Sequence, residues 1–234
     1  MAGPGLSALR RVPVDALPEE AATLRLPAPA QQHLRVLRLG PGDALLLFDG
    51  RGGLAEARLE AGGTARVKRR FRAEPDAPLG LVMGMPKGKK AGDVVRQATE
   101  IGATEIVFFQ GARSVATPDA ARAAKRRARW ATLATEAARQ AERAWTPAVR
   151  GPVVLDEALA ARGAAPGFVC GARQDGPRRP SARGWVAVGP EGGLSAEELR
   201  AFRDAGWTPL SLGPTVLRAE TAAVAALALL AAAR

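Results

Sequence analysis

Two hydrophobic periodicities divide the chain. Up to residue 72, short apolar runs alternate with Gly-rich turns. Residues 43–48 run into Asp49-Gly50-Arg51-Gly52-Gly53, and 54–60 and 64–70 flank Gly62-Gly63. Short strands joined by glycine turns predict hairpins, and together a small barrel. A short helix is expected over 30–37, and Glu74-Pro75-Asp76-Ala77-Pro78 reads as a linker. From Leu79 the pattern becomes strand, helix, strand, which predicts an α/β domain with a mostly parallel sheet. Its expected strands are 79–83, 105–109, 168–170, 186–188 and 209–212, and its expected helices 93–101, 118–143, 155–161, 196–205 and 219–233. Gly102 falls where a helix C-cap belongs, and Ser195 with Glu198 forms a capping-box pattern. The organisation expected is a β domain over 1–73 and an α/β domain over 79–234.

The chemistry concentrates in two segments of the second domain. Gly189-Pro190-Glu191-Gly192-Gly193 follows one apolar strand, and Leu212-Gly213-Pro214-Thr215-Val216-Leu217-Arg218-Ala219-Glu220-Thr221-Ala222 follows the next. Taken alone, the first is as readily a tight turn as a ligand loop. As a pair ending strands of one sheet, they would build a cleft at its carboxyl edge, where open α/β sheets bind ligands. Glycines there let backbone approach the ligand. Other catalytic machinery is missing from the sequence. His33 is the only histidine, which excludes histidine-dependent triads and multi-histidine metal sites. Gly84-Met85-Pro86-Lys87-Gly88-Lys89 lacks the spacing and hydroxyl of a P-loop. No GxGxxG opens a helix after the first strand of this domain. A protein so equipped would draw its reactivity from a bound cofactor and supply positioning and electrostatics.

Charge changes the picture further. The 234 residues carry a net charge of +11, which points to a polyanionic partner without separating RNA from DNA or an anionic membrane. Lys125-Arg126-Arg127-Ala128-Arg129 concentrates charge on one helix, read either as a solvated face or as an RNA contact. Arg10-Arg11 and Lys68-Arg69-Arg70 add to the β domain. A single cysteine, Cys170, excludes an intrachain disulfide, fits a reducing compartment such as the cytoplasm, and reads as a buried strand residue. No apolar core marks residues 1–12 as a signal peptide, and the alanine-rich stretch 219–233 is too short for a membrane span.

The two glycine loops closely resemble the signature loops of the SPOUT RNA methyltransferases, and most of all those of the 16S ribosomal RNA uridine-N3 methyltransferase family. The similarity covers nearly the whole chain. His33, Val36-Leu37-Arg38, Gly42-Asp43 and Phe48-Asp49-Gly50 resemble the family's opening motif. Lys87, Ala98-Thr99-Glu100-Ile101-Gly102, Arg113-Ser114-Val115, and Glu136, Gln140, Arg143 and Pro147 match its middle. Departures are Gln97 for an expected lysine, Arg139 for a glutamate, Thr215 for an arginine and Ala219 for a threonine.

The resemblance implies a PUA-like β-barrel over 1–73 and a trefoil-knotted SPOUT domain over 79–234. It also implies S-adenosylmethionine as methyl donor, S-adenosylhomocysteine as product, 16S rRNA of the small ribosomal subunit as substrate, and a homodimer with the active site near the subunit interface. No metal and no membrane are expected. The cofactor residues expected are Val169, Gly171, Gly189, Pro190, Glu191, Gly192, Leu212, Gly213, Val216, Leu217 and Thr221. Arg218 is the candidate for stabilising negative charge on the reacting base, and Glu191 and Glu220 are candidates for taking its proton. Arg10, Arg11, Arg38, Lys87, Arg126 and Arg129 are the expected RNA contacts. Two other readings compete: a non-catalytic RNA-binding or ribosome-assembly factor on the same scaffold, and a SPOUT enzyme acting on a tRNA ribose 2′-hydroxyl.

Overall fold

A computed structural model describes residues 9–114, 120–171 and 179–233. Val115 and the expected helix start at Pro118 lie outside them. The chain divides into two compact units, one of residues up to Pro75 with Ala138–Thr146, the other of Asp76–Ala137 with Pro147 onward.

In the first unit, strands β1 (Arg10–Pro13), β2 (Thr23–Arg25), β3 (Ala44–Phe48), β4 (Gly53–Glu60) and β5 (Thr64–Arg72) form one sheet in the order β1-β3-β4-β5-β2. Antiparallel β3-β4-β5 are the hairpins expected from the glycine turns, and Gly62, at φ 73, makes the tight connection between β4 and β5. The edge strands β1 and β2 do not pair with each other, so the sheet is a half-barrel. Helix α1 (Ala28–Val36) starts earlier than the sequence suggests. Its first turn contains Pro29, a place where proline removes no helical hydrogen bond. Leu34 of α1 packs with Leu45, Leu47, Ala57 and Val67 of the sheet.

The second unit contains β6 (Gly80–Gly84), α2 (Lys90–Ile101), β7 (Glu105–Phe109) and α3 (Ala120–Gln140), whose last residues fall in the first unit. Then come β8 (Ala148–Val153), α4 (Leu155–Ala160), β9 (Gly167–Cys170), β10 (Trp185–Val188), α5 (Ala196–Asp204), β11 (Thr208–Pro209) and α6 (Ala219–Ala232). The sheet order is β11-β9-β10-β6-β7-β8, and every pair is parallel. The central strands β6 and β10 are buried along their whole length, which is why they read as continuous apolar runs. Alternate residues serve two cores. Leu81, Met83, Ile106, Phe108, Val186 and Val188 pack on the side of α2, α3 and α6. Val82, Val107, Phe109, Val169 and Ala187 pack with Phe202 and Ala158 on the side of α5 and α4. Gly102 ends α2 at φ 112, as a left-handed cap requires.

Two strands differ from expectation. No strand is expected from the sequence at β8, which contains Gly151-Pro152; it stands at the sheet edge, where proline costs no ladder bond on the open side. β11 is only Thr208–Pro209, and its continuation leaves the sheet.

Candidate active site

Three strand ends converge on one cleft of about 750 Å³. One wall follows β10. Gly193, at φ +73, donates its N–H to Pro190 O at 2.8 Å, closing a tight turn. A Cβ at Gly189 would lie 2.6 Å from backbone atoms of Gly193 and Leu194, so the loop folds back on itself only with glycine there. A Cβ at Gly84, the end of β6, would lie 2.8 Å from Pro190 N, so the neighbouring strand also needs a bare backbone. Past this turn Ser195 caps α5, its Oγ accepting the Glu198 N–H at 3.2 Å while Glu198 Oε2 accepts the Ser195 N–H at 2.7 Å. The other oxygen of Glu198, a buried residue, accepts the Ala112 N–H at 2.7 Å. Arg113 reaches the same turn, donating to Gly192 O at 2.7 Å.

The second wall is the chain leaving β11. Leu210 N–H still pairs with Val169 O at 2.9 Å, after which Ser211 and Leu212 turn to face the cleft. Gly213, at φ +114, makes the turn that a side chain would strain. Val216 is 69% exposed beside the cleft, whereas Leu217 packs into the core. The third wall is the end of β9, with Cys170 and Gly171. Burial pushes the Cys170 thiol up to about 12, so it is neutral at physiological pH and no nucleophile.

A lysine joins the two main walls. Lys90, at the start of α2, places Nζ 3.0 Å from Glu191 Oε1 and 3.4 Å from Glu220 Oε2. The Lys87 N–H adds contacts of 3.1 and 3.3 Å to the two oxygens of Glu191. Burial alone would raise the Glu191 carboxyl, but the Lys90 ammonium and the backbone donors outweigh it and hold it below its ordinary range. The hydrogen bond to Glu191 in turn raises Lys90. Both oxygens of Glu191 are thus committed to tying the β10 loop to the start of α2.

Of the residues singled out from the sequence, Gly171, Gly189, Pro190, Glu191, Gly192, Leu212, Gly213, Val216, Leu217 and Arg218 line the cleft. Val169 and Thr221 do not. Val169 is buried on the opposite face of β9, and Thr221 is exposed on α6. Glu220 does not line the cleft and, among the described residues, reaches it through Lys90. Among the expected RNA contacts, Arg10, Arg38, Lys87, Arg126 and Arg129 are exposed. Arg11 is not free for RNA. It donates to Glu142 O at 2.6 Å and Arg143 O at 3.3 Å, its guanidinium lies 5.6 Å from the Phe48 ring centre, and burial lowers its pKa. Sequence reasoning missed Lys90 and the second role of Glu198. Lys90 directly follows the Gly84-Met85-Pro86-Lys87-Gly88-Lys89 segment set aside as a failed P-loop. Its position at the opening of a helix beside the glycine loops was the available signal.

The model of the RNA methyltransferase domain matches residues 73–231, and that of the RNA methyltransferase PUA domain matches residues 26–68. Ribosomal RNA small subunit methyltransferase E of Mycobacterium bovis is 36% identical over 230 residues, covering 92% of this chain and 88% of the relative. A Legionella pneumophila protein described as a methyltransferase and solved with bound S-adenosylmethionine superposes with a TM-score of 0.82 at 29% identity, covering 95% of this chain and 96% of that one. Ribosomal RNA small subunit methyltransferase E of Neisseria gonorrhoeae, solved bound to S-adenosylmethionine, gives 0.81 at 28% identity, covering 94% and 95%. With a parallel α/β domain, a PUA domain before it and a glycine-lined cleft at its strand ends, the chain belongs to the RNA methyltransferase family that includes the ribosomal RNA small subunit methyltransferases E.

Proposed function

We propose that this protein is an S-adenosylmethionine-dependent methyltransferase acting on N3 of a uridine in 16S rRNA of the small ribosomal subunit. The observation that carries this reading is the cleft built from the ends of β9, β10 and β11. Its size, about 750 Å³, suits a cofactor, and its backbone is closed to side chains at Gly189. When bound, S-adenosylmethionine supplies an electrophilic methyl group and leaves as S-adenosylhomocysteine. The residues expected around it are those lining the cleft, and Val169 and Thr221 are not among them. Residues 1–73 serve as the RNA-binding PUA-like domain and 79–234 as the methyltransferase domain.

The protein's own contribution is positioning and charge. Arg218 lines the cleft and is exposed, and no acid pairs with it among the described residues. It can therefore meet negative charge spreading to the uracil carbonyl oxygens as N3 loses its proton. Glu191 is a poor base, because its pKa is lowered and both its oxygens are engaged. Glu220 is the less engaged of the two carboxylates, paired among the described residues with Lys90, and is the candidate left for the proton. Arg10, Arg38, Lys87, Arg126 and Arg129 contact RNA in this reading.

The protein works as a homodimer in the cytoplasm. Helix α6 supports the dimer. Ala219, Ala222, Ala223, Ala226, Leu227 and Leu230 are buried within the chain, while Ala225 and Leu229 are only partly covered and Ala228 is exposed. Mass spectrometry of nucleosides from small-subunit rRNA, incubated with protein and cofactor, tests the activity. N3-methyluridine is expected. A 2′-O-methylated nucleoside would reassign the specificity, and no methylated product at all would leave an RNA-binding factor. A monomeric mass by light scattering at micromolar concentration would overturn the dimer.

A further inference from the structure

The basic helix α3 does not present its charge evenly. Between Ala120 and Gln140 it carries six basic residues against one acid, Glu136. Two of the six, Arg126 and Arg129, sit three residues apart on one face and line a separate notch of about 80 Å³. The opposite side is the turn entering α2, where Lys89, Gly88 and Gly92 face the same space. Buried Trp130 and Met85 form the apolar base. Lys89, Arg126 and Arg129 are exposed, and no acid pairs with them among the described residues. Asp93, the acid in the first turn of α2, is taken by Arg96 at 3.0 Å. Three unneutralised cations from two elements around one small hollow make a site for an anion, and α2 brings no side-chain cap to its own first turn.

Size selects among anions. The hollow is small, about 80 Å³, and its ring of cations suits a compact, multiply charged anion such as a phosphate. Position selects the partner. Lys89 faces the notch and the next residue, Lys90, faces the cofactor cleft. A phosphate held by Lys89, Arg126 and Arg129 therefore lies across a single turn of chain from the cleft. We propose that this notch is a phosphate-binding subsite for the RNA strand that delivers its uridine to the cleft. The inference rests on the reading of the protein as an rRNA methyltransferase and adds the place where the backbone of that strand is gripped.

The test uses charge-matched pairs on the same helix. Arg126→Gln/Arg129→Gln removes two notch cations, and Lys125→Gln/Arg127→Gln removes two exposed cations outside it. The probe is a 16S rRNA transcript titrated by fluorescence anisotropy across a range of KCl. Each lost phosphate contact flattens the log–log salt dependence by about 0.7 for a single strand and about 0.9 for a duplex. The notch pair is expected to flatten it by about 1.4–1.8 and the outside pair by less than about 0.5. Calorimetry with S-adenosylmethionine should give both pairs the wild-type affinity, showing that the fold is intact. Should the double variant misfold, Arg129→Gln alone should flatten the slope by about 0.7–0.9. Equal slopes for the two pairs would mean diffuse attraction and would overturn the subsite, as would no change in either. If the wild-type protein methylates the transcript while the pairs behave alike, only the subsite falls. If the wild-type protein neither binds nor methylates it, the functional reading falls with it.

Discussion

At Gly189 a single added carbon would lie 2.6 Å from the backbone of Gly193 and Leu194, whereas Arg126 and Arg129 are exposed on α3 with no acid paired to them among the described residues. The two regions face the same proposed reaction by different physics. The cleft is a shape set by backbone, where each loop is positioned by the next and a small intrusion propagates. The helix face is a sum of charges, where each residue acts nearly alone and salt weakens them all. Changes in the first should be abrupt and insensitive to salt. Changes in the second should be graded and depend on it.

Arg218 tests whether a charge inside the shaped region obeys either rule. Arg218→Ala should lower the single-turnover methylation rate by about 10²–10³ while RNA affinity barely changes, because the contact is strongest in the transition state. A normal rate at saturating RNA would return Arg218 to the class of α3, as a binding or structural residue. The next largest effect belongs to the turn. Gly189→Val should weaken S-adenosylmethionine binding by about 100-fold, since relieving the overlap must move backbone. Gly192→Val should cost less than about tenfold, because its added atom meets Arg113 Cβ at 3.0 Å, an overlap smaller than the one at Gly189 and relieved by a shift of a few tenths of an ångström. Calorimetry that ranks Gly192 above Gly189 would break the account of the turn.

Lys90 sharpens the comparison, being a charge used as a strut. Lys90→Met should weaken cofactor binding by about tenfold, and adding salt should not reproduce that loss. It also carries a pH signature. The folded-state pKa of Glu191 is lowered, so its contribution to stability is full above the ordinary carboxyl value of 4.5 and is lost as pH falls through the lower folded value. Removing Lys90 removes the main attractive partner. The melting temperature of the variant should therefore trail the wild type at neutral pH and approach it as the pH drops below 4.5. A constant gap would mean that Lys90 acts through packing. The smallest effect concerns Cys170. With its pKa near 12, the thiol should label slowly at pH 8 even though it lines the cleft, and rapid stoichiometric labelling would show the third wall to be open to water.

Much of this was legible in the sequence because it rests on local signals. Glycine-separated apolar runs mark β3, β4 and β5, the buried runs mark β6, β7, β9 and β10, and Ser195 with Glu198 marks the start of α5. The loops at 189–193 and 212–218 stand out because glycines at two strand ends of one sheet are rarely accidental. Less legible was whatever depends on partners distant in sequence. Arg11 reads as one more surface cation until its two carbonyl acceptors, 131 and 132 residues away, are seen. Lys90 is one lysine of a run until Glu191 and Glu220 come to it. β8 hid behind its Gly151-Pro152 pair because edge strands need no alternation to persist.

Glu198 limits how the capping box of α5 can drift. Capping boxes in general accept glutamine in place of glutamate. Here each carboxylate oxygen already receives its own N–H, one from Ser195 and one from Ala112, both at 2.7 Å. An amide has one acceptor and one donor end, so whichever way it is flipped, an NH₂ group confronts a backbone N–H. Replacing one oxygen with nitrogen, the least change in size available, is thus barred at this position, while bulkier changes on the exposed face of the same helix are free to accumulate.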